Sequence, residues 1–382
     1  SFEPKSILKQ RQHDLSSSPS KETDSYNNQL YINLSLNESW SSGQIIQLSP
    51  KSVQTDSVLT QCIQALLTKG FVKRFECYAT IHYILKNNSV QFLSPILFEY
   101  SKKLVNIIIV DNSITKTGQL VDLSDAFQSR LTTVSIKVLS LLSSHPKEYN
   151  IEDTEIHRAL RYISFLLQNE SLPKSVCSAV LQVIKDHKSI DTPLPNPIIE
   201  SILQSLLVVQ NFSSFTITVE IVSILADFIN KYKGIMTKHS TRWMSFLLST
   251  FLEYGSIPSA QRIVRAISFA IQQTVNCVAI TGKSKISFHN IMKLAGSDND
   301  NSEVSLIDAV LEVLTSYLKL DFYTGITIWL NLTYLQNHQF PLDHVQRWIS
   351  VILPYFDNDD IMIKKSCFFA FKSIIYELHS DI

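Results

Sequence analysis

Glycine and proline are scarce in this chain, at 8 and 12 of its 382 residues. Because these two residue types form most tight turns, their scarcity argues against many short strands and favours long helices. Charged residues are also few, at 18%, whereas 45% of the chain is hydrophobic, which is enough to bury a large core. We therefore predict an all-α fold.

Long apolar runs are missing as well. The longest aliphatic run, Ile107–Val110, is far too short to span a bilayer, and no N-terminal segment has the composition of a signal peptide. Five cysteines lie far apart, each within an apolar helical pattern, which predicts reduced core thiols instead of disulfides. We expect an intracellular soluble protein with no membrane partner.

Catalytic and metal-binding motifs are missing too. The sequence has no glycine-rich phosphate loop, no His-Glu-x-x-His pair, no nucleophile elbow and no paired metal ligands. We therefore predict that the protein is not an enzyme, and that it has no cofactor and no metal site.

Residues 1–52 differ in composition from the rest of the chain. They contain 13 serines and few large apolar side chains, so they cannot bury enough surface to offset the entropy of ordering. We predict a disordered tail over residues 1–52. Since the chain starts at Ser1 and not at methionine, we also expect it to be a fragment of a longer protein.

From residue 53 onward the apolar pattern is helical and repeats. Predicted helix starts are spaced by 42, 43 and 42 residues, at Leu131, Pro173, Thr216 and Pro258. Each of these helices follows another, as in Glu155–Leu167 and Pro197–Val209. A two-helix unit at this spacing is typical of HEAT and armadillo repeats, which predicts a solenoid over residues 53–382. The last helix is apolar and has no polar capping unit, so we expect the solenoid to be truncated at its C-terminal end.

One polar interruption and four further helices complete the predicted array. Ala279–Asn301 is polar and contains glycine, which predicts a long loop with a short helix at Phe288–Leu294. The four helices that follow are predicted at Glu303–Leu320, Tyr323–Leu335, Val345–Tyr355 and Ile361–Leu378.

The tail contains a short docking motif. Ser6, Ile7, Leu8 and Lys9 form a Ser-Ile-Leu-Lys run that resembles the SILK motif, which docks onto type-one protein phosphatase. In a disordered segment the two aliphatic side chains can fill apolar pockets while the lysine reaches surface acids. The alternative is a chance occurrence in a serine-rich tail.

Two further sites bear on phosphatase docking. Ser18 opens a Ser-Pro-x-Lys pattern that proline-directed kinases recognise, and a phosphate there would add negative charge close to the docking motif. Residues 285–288 read Lys-Ile-Ser-Phe, the form of a primary phosphatase-docking site. They lie in the predicted loop of the array, where local packing is the plainer interpretation.

Charge is distributed unevenly although the formal net charge is zero. Residues 130–290 hold 16 basic and 11 acidic residues, whereas residues 291–382 hold 6 and 12. The segment from residue 231 to residue 285 contains eight basic residues and a single acidic one, Glu253. The basic residues are Lys231, Lys233, Lys238, Arg242, Arg262, Arg265, Lys283 and Lys285. Basic residues on consecutive repeats could form a groove for a phosphate backbone. The alternative is a solvated basic face, with Arg262 and Arg265 bridging successive repeats.

Four motifs, in order along the chain, resemble those of the yeast Rap-interacting factor one family. They are Lys-Ser-Ile-Leu-Lys at residues 5–9, Trp-Ser-Ser-Gly at 40–43, Lys-Arg-Phe-Glu-Cys-Tyr-Ala-Thr at 73–80 and Ile-Trp-Leu-Asn-Leu-Thr at 328–333. The resemblance covers nearly the whole chain, although the sequence between the motifs is divergent.

The resemblance implies a chromatin scaffold. Members of this family have an N-terminal HEAT array that binds duplex DNA and a tail that recruits the catalytic subunit of type-one phosphatase. The phosphatase opposes kinase activation of replication origins, and the protein limits telomere elongation. The resemblance thus implies a nuclear, telomeric location and regulatory kinases as further partners, with homo-oligomerisation left open. The family's upstream Arg/Lys-Val-x-Phe motif is missing from this sequence.

One alternative function remains open from the residues alone. A HEAT array can also be a protein-binding scaffold without affinity for DNA, such as a transport receptor or a phosphatase structural subunit. The segment of eight basic residues does not decide between the two functions by its charge alone. A gel-shift with the isolated array, residues 53–382, would separate them.

Overall fold

The computed structural model describes residues 53–68, 73–113, 125–169, 172–187, 193–209, 214–281, 302–336 and 342–379. Throughout these residues the regular structure is helical, which confirms the predicted all-α fold. The predicted disordered tail, residues 1–52, lies outside the described ranges. The chain divides into two compact units, residues 1–89 and residues 90–382.

The first unit contains a pair of helices, α1 (Val53–Leu67) and α2 (Arg74–Asn87). They pack against each other, and both carry fully buried apolar side chains, such as Ile63 on α1 and Ile81 on α2. The run 73–80 that carries the family resemblance begins α2, where Tyr78 and Thr80 are fully buried. That motif is therefore part of a helical core.

The second unit contains thirteen α-helices in its described residues. In chain order they are α3 (Val90–Ser113), α4 (Ala126–Ser143), α5 (Asp153–Leu167), α6 (Lys174–Asp186), α7 (Asn196–Val208), α8 (Phe215–Lys231), α9 (Lys233–Lys238), α10 (Ser240–Tyr254), α11 (Gln261–Thr281), α12 (Ser302–Leu320), α13 (Phe322–Gln336), α14 (Leu342–Ser350) and α15 (Ile361–His379). Two short 3-10 turns, Pro258–Ala260 and Leu353–Tyr355, precede α11 and α15 respectively.

The helices of the second unit stack in two layers. Helices α4, α6, α8, α11, α13 and α15 pack in succession and form the first layer. In the second layer α3 packs on α5, α5 on α7, and α10 on α12, while the short α9 contacts both α7 and α8. The layers meet where neighbours in sequence pack, as α5 does on α6 and α12 on α13. This arrangement is that of a solenoid built from helix pairs, as the 42-residue spacing predicts.

Hydrogen bonds between stacked helices follow the predicted repeat length. In the first layer Thr133 donates to Ser175 over 3.2 Å, and the two residues are 42 positions apart. In the second layer the Ser164 hydroxyl lies 2.8 Å from that of Ser205, 41 positions further along. Equivalent residues of successive repeats therefore lie side by side, which confirms the spacing read from the sequence.

Some helix boundaries differ from those predicted. Helix α4 begins at Ala126, not at Leu131, because Asp125 caps it by accepting hydrogen bonds from the backbone N–H groups of Phe127 and Gln128. The predicted helix Val345–Tyr355 is divided into α14 and a 3-10 turn. Pro354 explains the break, since it lacks an N–H and disfavours helical backbone at the residue before it.

The predicted interruption at Ala279–Asn301 begins later than expected, because α11 continues to Thr281. The remainder of that segment, with its predicted helix at Phe288–Leu294, lies outside the described residues.

A tryptophan pair joins α13 to α14. Trp329 and Trp348 are stacked with ring centroids 6.1 Å apart, and both are buried. The Trp329 indole donates to the backbone oxygen of Trp348 over 3.0 Å, and the Trp348 indole donates to the Thr333 hydroxyl over 2.7 Å. Both indole N–H groups are thus satisfied inside the core. The motif at residues 328–333 is therefore a packing motif.

Candidate nucleic-acid interface

Six of the eight predicted DNA-binding residues lie within the described helices. Lys231 ends α8, Lys233 and Lys238 lie on α9, Arg242 lies on α10, and Arg262 and Arg265 lie on α11. Lys283 and Lys285 lie outside the described residues. The tail residues Ser6, Ile7, Leu8, Lys9 and Ser18 lie outside them as well, so the structure describes no docking site there.

Lys238 binds an acid that is distant in sequence. Its ammonium lies 3.0 Å from Oε1 of Glu200 on α7, and His239 Nε2 lies 3.2 Å from the same oxygen. Hydrogen bonds from Lys238 and His239 lower the pKa of the Glu200 carboxyl. Lys238 therefore connects α9 to a helix of the second layer, and part of its charge is neutralised.

Arg265 is paired across the first layer. Its Nε and Nη2 donate to Oδ2 of Asp321 over 3.0 and 2.9 Å, joining α11 to the start of α13. Asp321 also caps α13, since it accepts hydrogen bonds from the backbone N–H and the hydroxyl of Thr324. Burial acts to raise the pKa of Asp321, but the hydrogen bonds from Thr324 and Arg265 outweigh it and lower that pKa. Arg265 is thus a bridge between repeats.

Arg262 lies beside a half-buried acid. Glu220 of α8 accepts a hydrogen bond of 3.3 Å from the Ser178 hydroxyl of α6. Burial raises the pKa of Glu220, whereas that hydrogen bond and the charges of Lys185 and Arg262 act to lower it. The carboxyl therefore lies within electrostatic reach of cations on α6 and α11, and links three successive helices of the first layer.

Lys231 and Arg242 are exposed, and no carboxylate of the described residues lies within salt-bridge distance of either. Burial of the imidazole lowers the pKa of His187, and the nearby charge of Lys231 acts in the same direction. These two residues keep the full charge that a phosphate contact requires.

The structure distributes the predicted basic residues over both layers. Lys238 binds an acid of the second layer, whereas Arg262 and Arg265 lie beside acids of the first. The reason is that helices adjacent in sequence alternate between layers, so closeness in sequence does not place side chains on one face. The local excess of charge is also smaller than the sequence suggests, because Glu200, Glu220 and Asp321 come from distant parts of the chain.

Sequence reasoning missed further exposed cations. Helices α4 and α6 of the first layer carry four of them, and α5 of the second layer carries two: Arg130, Lys137, Lys174, Lys185, Arg158 and Arg161. They are spread among acids in the sequence and so form no cluster there. The feature of the sequence that could have identified them is the repeat length, because basic residues one repeat apart lie on stacked helices.

The described residues contain no group of three or more His, Cys, Asp or Glu side chains arranged to hold a metal ion. Among the same residues, no helix is long and apolar enough to cross a membrane.

Comparison with known proteins identifies a family and a shared fold. The model of the family described as "Rap1-interacting factor 1 N terminal" matches residues 69–382. A search of curated proteins finds no match. Among solved structures, the Rif1 N-terminal domain from Saccharomyces cerevisiae, crystallised in complex with DNA, is similar with a TM-score of 0.64 and 16% identity. The match covers 90% of this chain and 36% of that one, and at this identity it shows a shared fold. An engineered protein also matches, over 83% of this chain and 78% of its own, with 14% identity and a TM-score of 0.42.

Proposed function

Because the chain belongs to the family of Rap1-interacting factor 1 N-terminal domains, we propose that it is a helical scaffold that binds duplex DNA. The observation that carries the proposal is the set of exposed cations on successive helices of the second unit, of which Lys231 and Arg242 have no carboxylate partner among the described residues. The similar domain from Saccharomyces cerevisiae, crystallised with DNA, supports it.

The chemistry of such binding is electrostatic. Lysine and arginine side chains neutralise phosphates and release condensed counterions, so affinity falls steeply as salt rises. The described helices present no base-reading module, and binding of this kind depends on charge and shape rather than on base sequence. No catalytic step is part of this function.

The proposal includes a second activity in the tail. Ser6, Ile7, Leu8 and Lys9 would dock the catalytic subunit of type-one phosphatase, and a kinase acting on Ser18 would regulate that docking. Bound to telomeric or origin chromatin in the nucleus, the scaffold would bring the phosphatase to its substrates and so control telomere length and origin firing. The family resemblance of the tail motif supports this part.

A protein-binding scaffold without affinity for DNA is the second candidate. The pairs Lys238–Glu200 and Arg265–Asp321 favour it, because cations that neutralise acids of neighbouring helices serve the fold and are not available to phosphates.

Charge reversal at the two unpaired cations tests the proposal. We expect Lys231→Glu with Arg242→Glu to weaken binding of a duplex by about tenfold or more and to reduce the salt slope by about two. Fluorescence anisotropy of a labelled duplex, titrated with the 382-residue chain over a range of salt, measures both. Single variants identify the face, since Lys231 lies on the first layer and Arg242 on the second.

The matched control reverses two exposed lysines of α15, Lys365 and Lys372, for the same change in net charge. It should bind DNA nearly as the unaltered chain does. If the folded Lys231/Arg242 variant binds as tightly as this control, these residues are not the interface. If the unaltered chain does not bind DNA at low salt, the DNA-binding proposal is wrong and the protein-binding alternative is the one left to test.

A further inference from the structure

The junction between α9 and α10 carries basic side chains and no acid of its own. Lys238, His239 and Arg242 lie within five residues, and the sequence contains no Asp or Glu from residue 228 to residue 252. The backbone N–H of Arg242 donates to the backbone oxygen of His239 over 3.1 Å, so the two residues lie within one helical turn of each other. The sequence by itself therefore predicts unopposed positive charge at this junction.

Packing brings one acid to this junction. Glu200 lies on α7, which contacts α9, and it precedes Lys238 by 38 positions in the sequence. Its Oε1 accepts a hydrogen bond of 3.0 Å from Lys238 Nζ and lies 3.2 Å from His239 Nε2. Hydrogen bonds from Lys238 and His239 lower the pKa of the Glu200 carboxyl, so the carboxylate is ionised at neutral pH. A single carboxylate therefore holds both side chains.

The ion pair is open to solvent. The Lys238 side chain is 68% exposed and that of Glu200 is 37% exposed, so a polyanion can approach the ammonium without separating α9 from α7. An exposed ion pair also contributes little to folding stability. Loss of the Glu200 charge should therefore release the Lys238 ammonium while the helices keep their packing.

We propose that Glu200 limits the affinity of this protein for DNA, because it holds Lys238 away from the phosphate backbone. The inference rests on the proposed function and names a residue that regulates the same site. Glu200 acts in two ways, since it neutralises Lys238 and its own negative charge repels phosphates that approach the junction. Once released, Lys238 would add one phosphate contact to those of Lys231 and Arg242.

Replacement of the carboxylate by an amide tests the proposal. In Glu200→Gln the side-chain carbonyl can still accept a hydrogen bond from Lys238, but it carries no charge. We expect a duplex to bind about threefold or more tightly than to the unaltered chain, and the salt slope to steepen by about one, the change for one added phosphate contact. Fluorescence anisotropy of a labelled duplex, titrated with the 382-residue chain over a range of salt, measures both.

A double variant identifies the cation that Glu200 releases. Glu200→Gln with Lys238→Gln lacks the ion pair just as the single variant does, but it has no ammonium at position 238. The added salt slope should therefore disappear. If the slope stays steep in the double variant, the gain comes from a change in the packing of α9 and not from Lys238, and the proposal is wrong.

Asp308→Asn is the matched control. It makes the same change in net charge and removes the acid of another exposed ion pair, in which Arg347 Nη1 lies 2.7 Å from Asp308 Oδ1. The salt slope of this variant should equal that of the unaltered chain. An equal gain in the control, or no gain in Glu200→Gln, would overturn the proposal. Failure of the proposed function is a different result, because the unaltered chain would then not bind the duplex at low salt.

Discussion

Asp321 lies between α11 and α13 and forms hydrogen bonds with both helices. Its carboxylate caps the N-terminus of α13 by accepting from Thr324, and it also binds the guanidinium of Arg265 on α11. A capping carboxylate satisfies an otherwise unpaired backbone N–H and interacts favourably with the helix dipole. One side chain therefore fixes both the start of a helix and its position against the previous repeat.

Removal of this carboxylate should destabilise the second unit. We expect Asp321→Ala to lower the free energy of unfolding by about 1–2 kcal/mol, the usual cost of losing a capping side chain. Urea denaturation at pH 7 measures it. Asp308→Ala is the matched control, because the Asp308–Arg347 pair is half exposed on both sides and should contribute less than about 1 kcal/mol. Equal losses in the two variants would show that Asp321 has no special role.

The same carboxylate predicts a pH dependence. Its pKa in the folded protein is lower than its ordinary value, so the stabilisation is present above the unfolded pKa and is lost as pH falls through the folded pKa. Between about pH 4 and pH 2, Asp321→Ala should therefore lose less stability than the unaltered chain does. Urea denaturation at a series of acidic pH values gives the comparison, and parallel curves would contradict it.

At the scale of the element, close contact between helices depends on glycine at one position. Gly255 directly follows α10, and a Cβ there would collide with the Val313 side chain of α12 and lie 2.7 Å from the backbone oxygen of Phe251. Backbone oxygen cannot move aside as a flexible side chain can. The approach of α10 to α12 therefore requires the absence of a side chain.

We expect Gly255→Ala to lower the free energy of unfolding by about 1–3 kcal/mol, the usual cost of overpacking. Gly234→Ala on α9 is the matched control, since a Cβ there meets no atom within 4 Å. Alanine at that position should leave stability unchanged or raise it by up to about 1 kcal/mol. Thermal denaturation of both variants makes the comparison, and a Gly255→Ala protein as stable as the control would contradict the packing argument.

At the scale of the whole molecule, the proposed function divides between two parts of the chain. In this proposal the helical array supplies cations that bind DNA, and the tail supplies a motif that docks a phosphatase. We expect Ile7→Ala with Leu8→Ala to reduce recovery of the type-one catalytic subunit in a pull-down several-fold, because the two aliphatic side chains provide the apolar contacts. DNA binding by the same variant should be unchanged.

Ser35→Ala with Ser39→Ala is the control for that experiment, since it alters the tail away from the motif. Recovery of the catalytic subunit should then match that of the unaltered chain. Undiminished recovery by the Ile7/Leu8 variant would show that the motif does not dock, without affecting the DNA-binding proposal.

The sequence alone determined the helical class, the repeat length and most helix boundaries. Apolar periodicity reports which face of a helix is buried, and it needs no knowledge of the partner helix. Pro173 lies directly before α6, and Pro258 begins the 3-10 turn that leads into α11, so both prolines mark the predicted helix starts to within three residues. The reason is local, because proline is favoured at helix starts. The runs 73–80 and 328–333 were recognised as family motifs, and in the structure each contributes buried side chains to a helix, such as Tyr78 in α2 and Trp329 in α13.

Only the tertiary structure decided which basic side chains remain available to bind phosphates. Eight basic residues opposed by Glu253 looked like a single cluster, yet packing brings Glu200 to Lys238 and Asp321 to Arg265. Charge pairs depend on contacts between helices that are distant along the chain, and no local pattern in the sequence encodes those contacts.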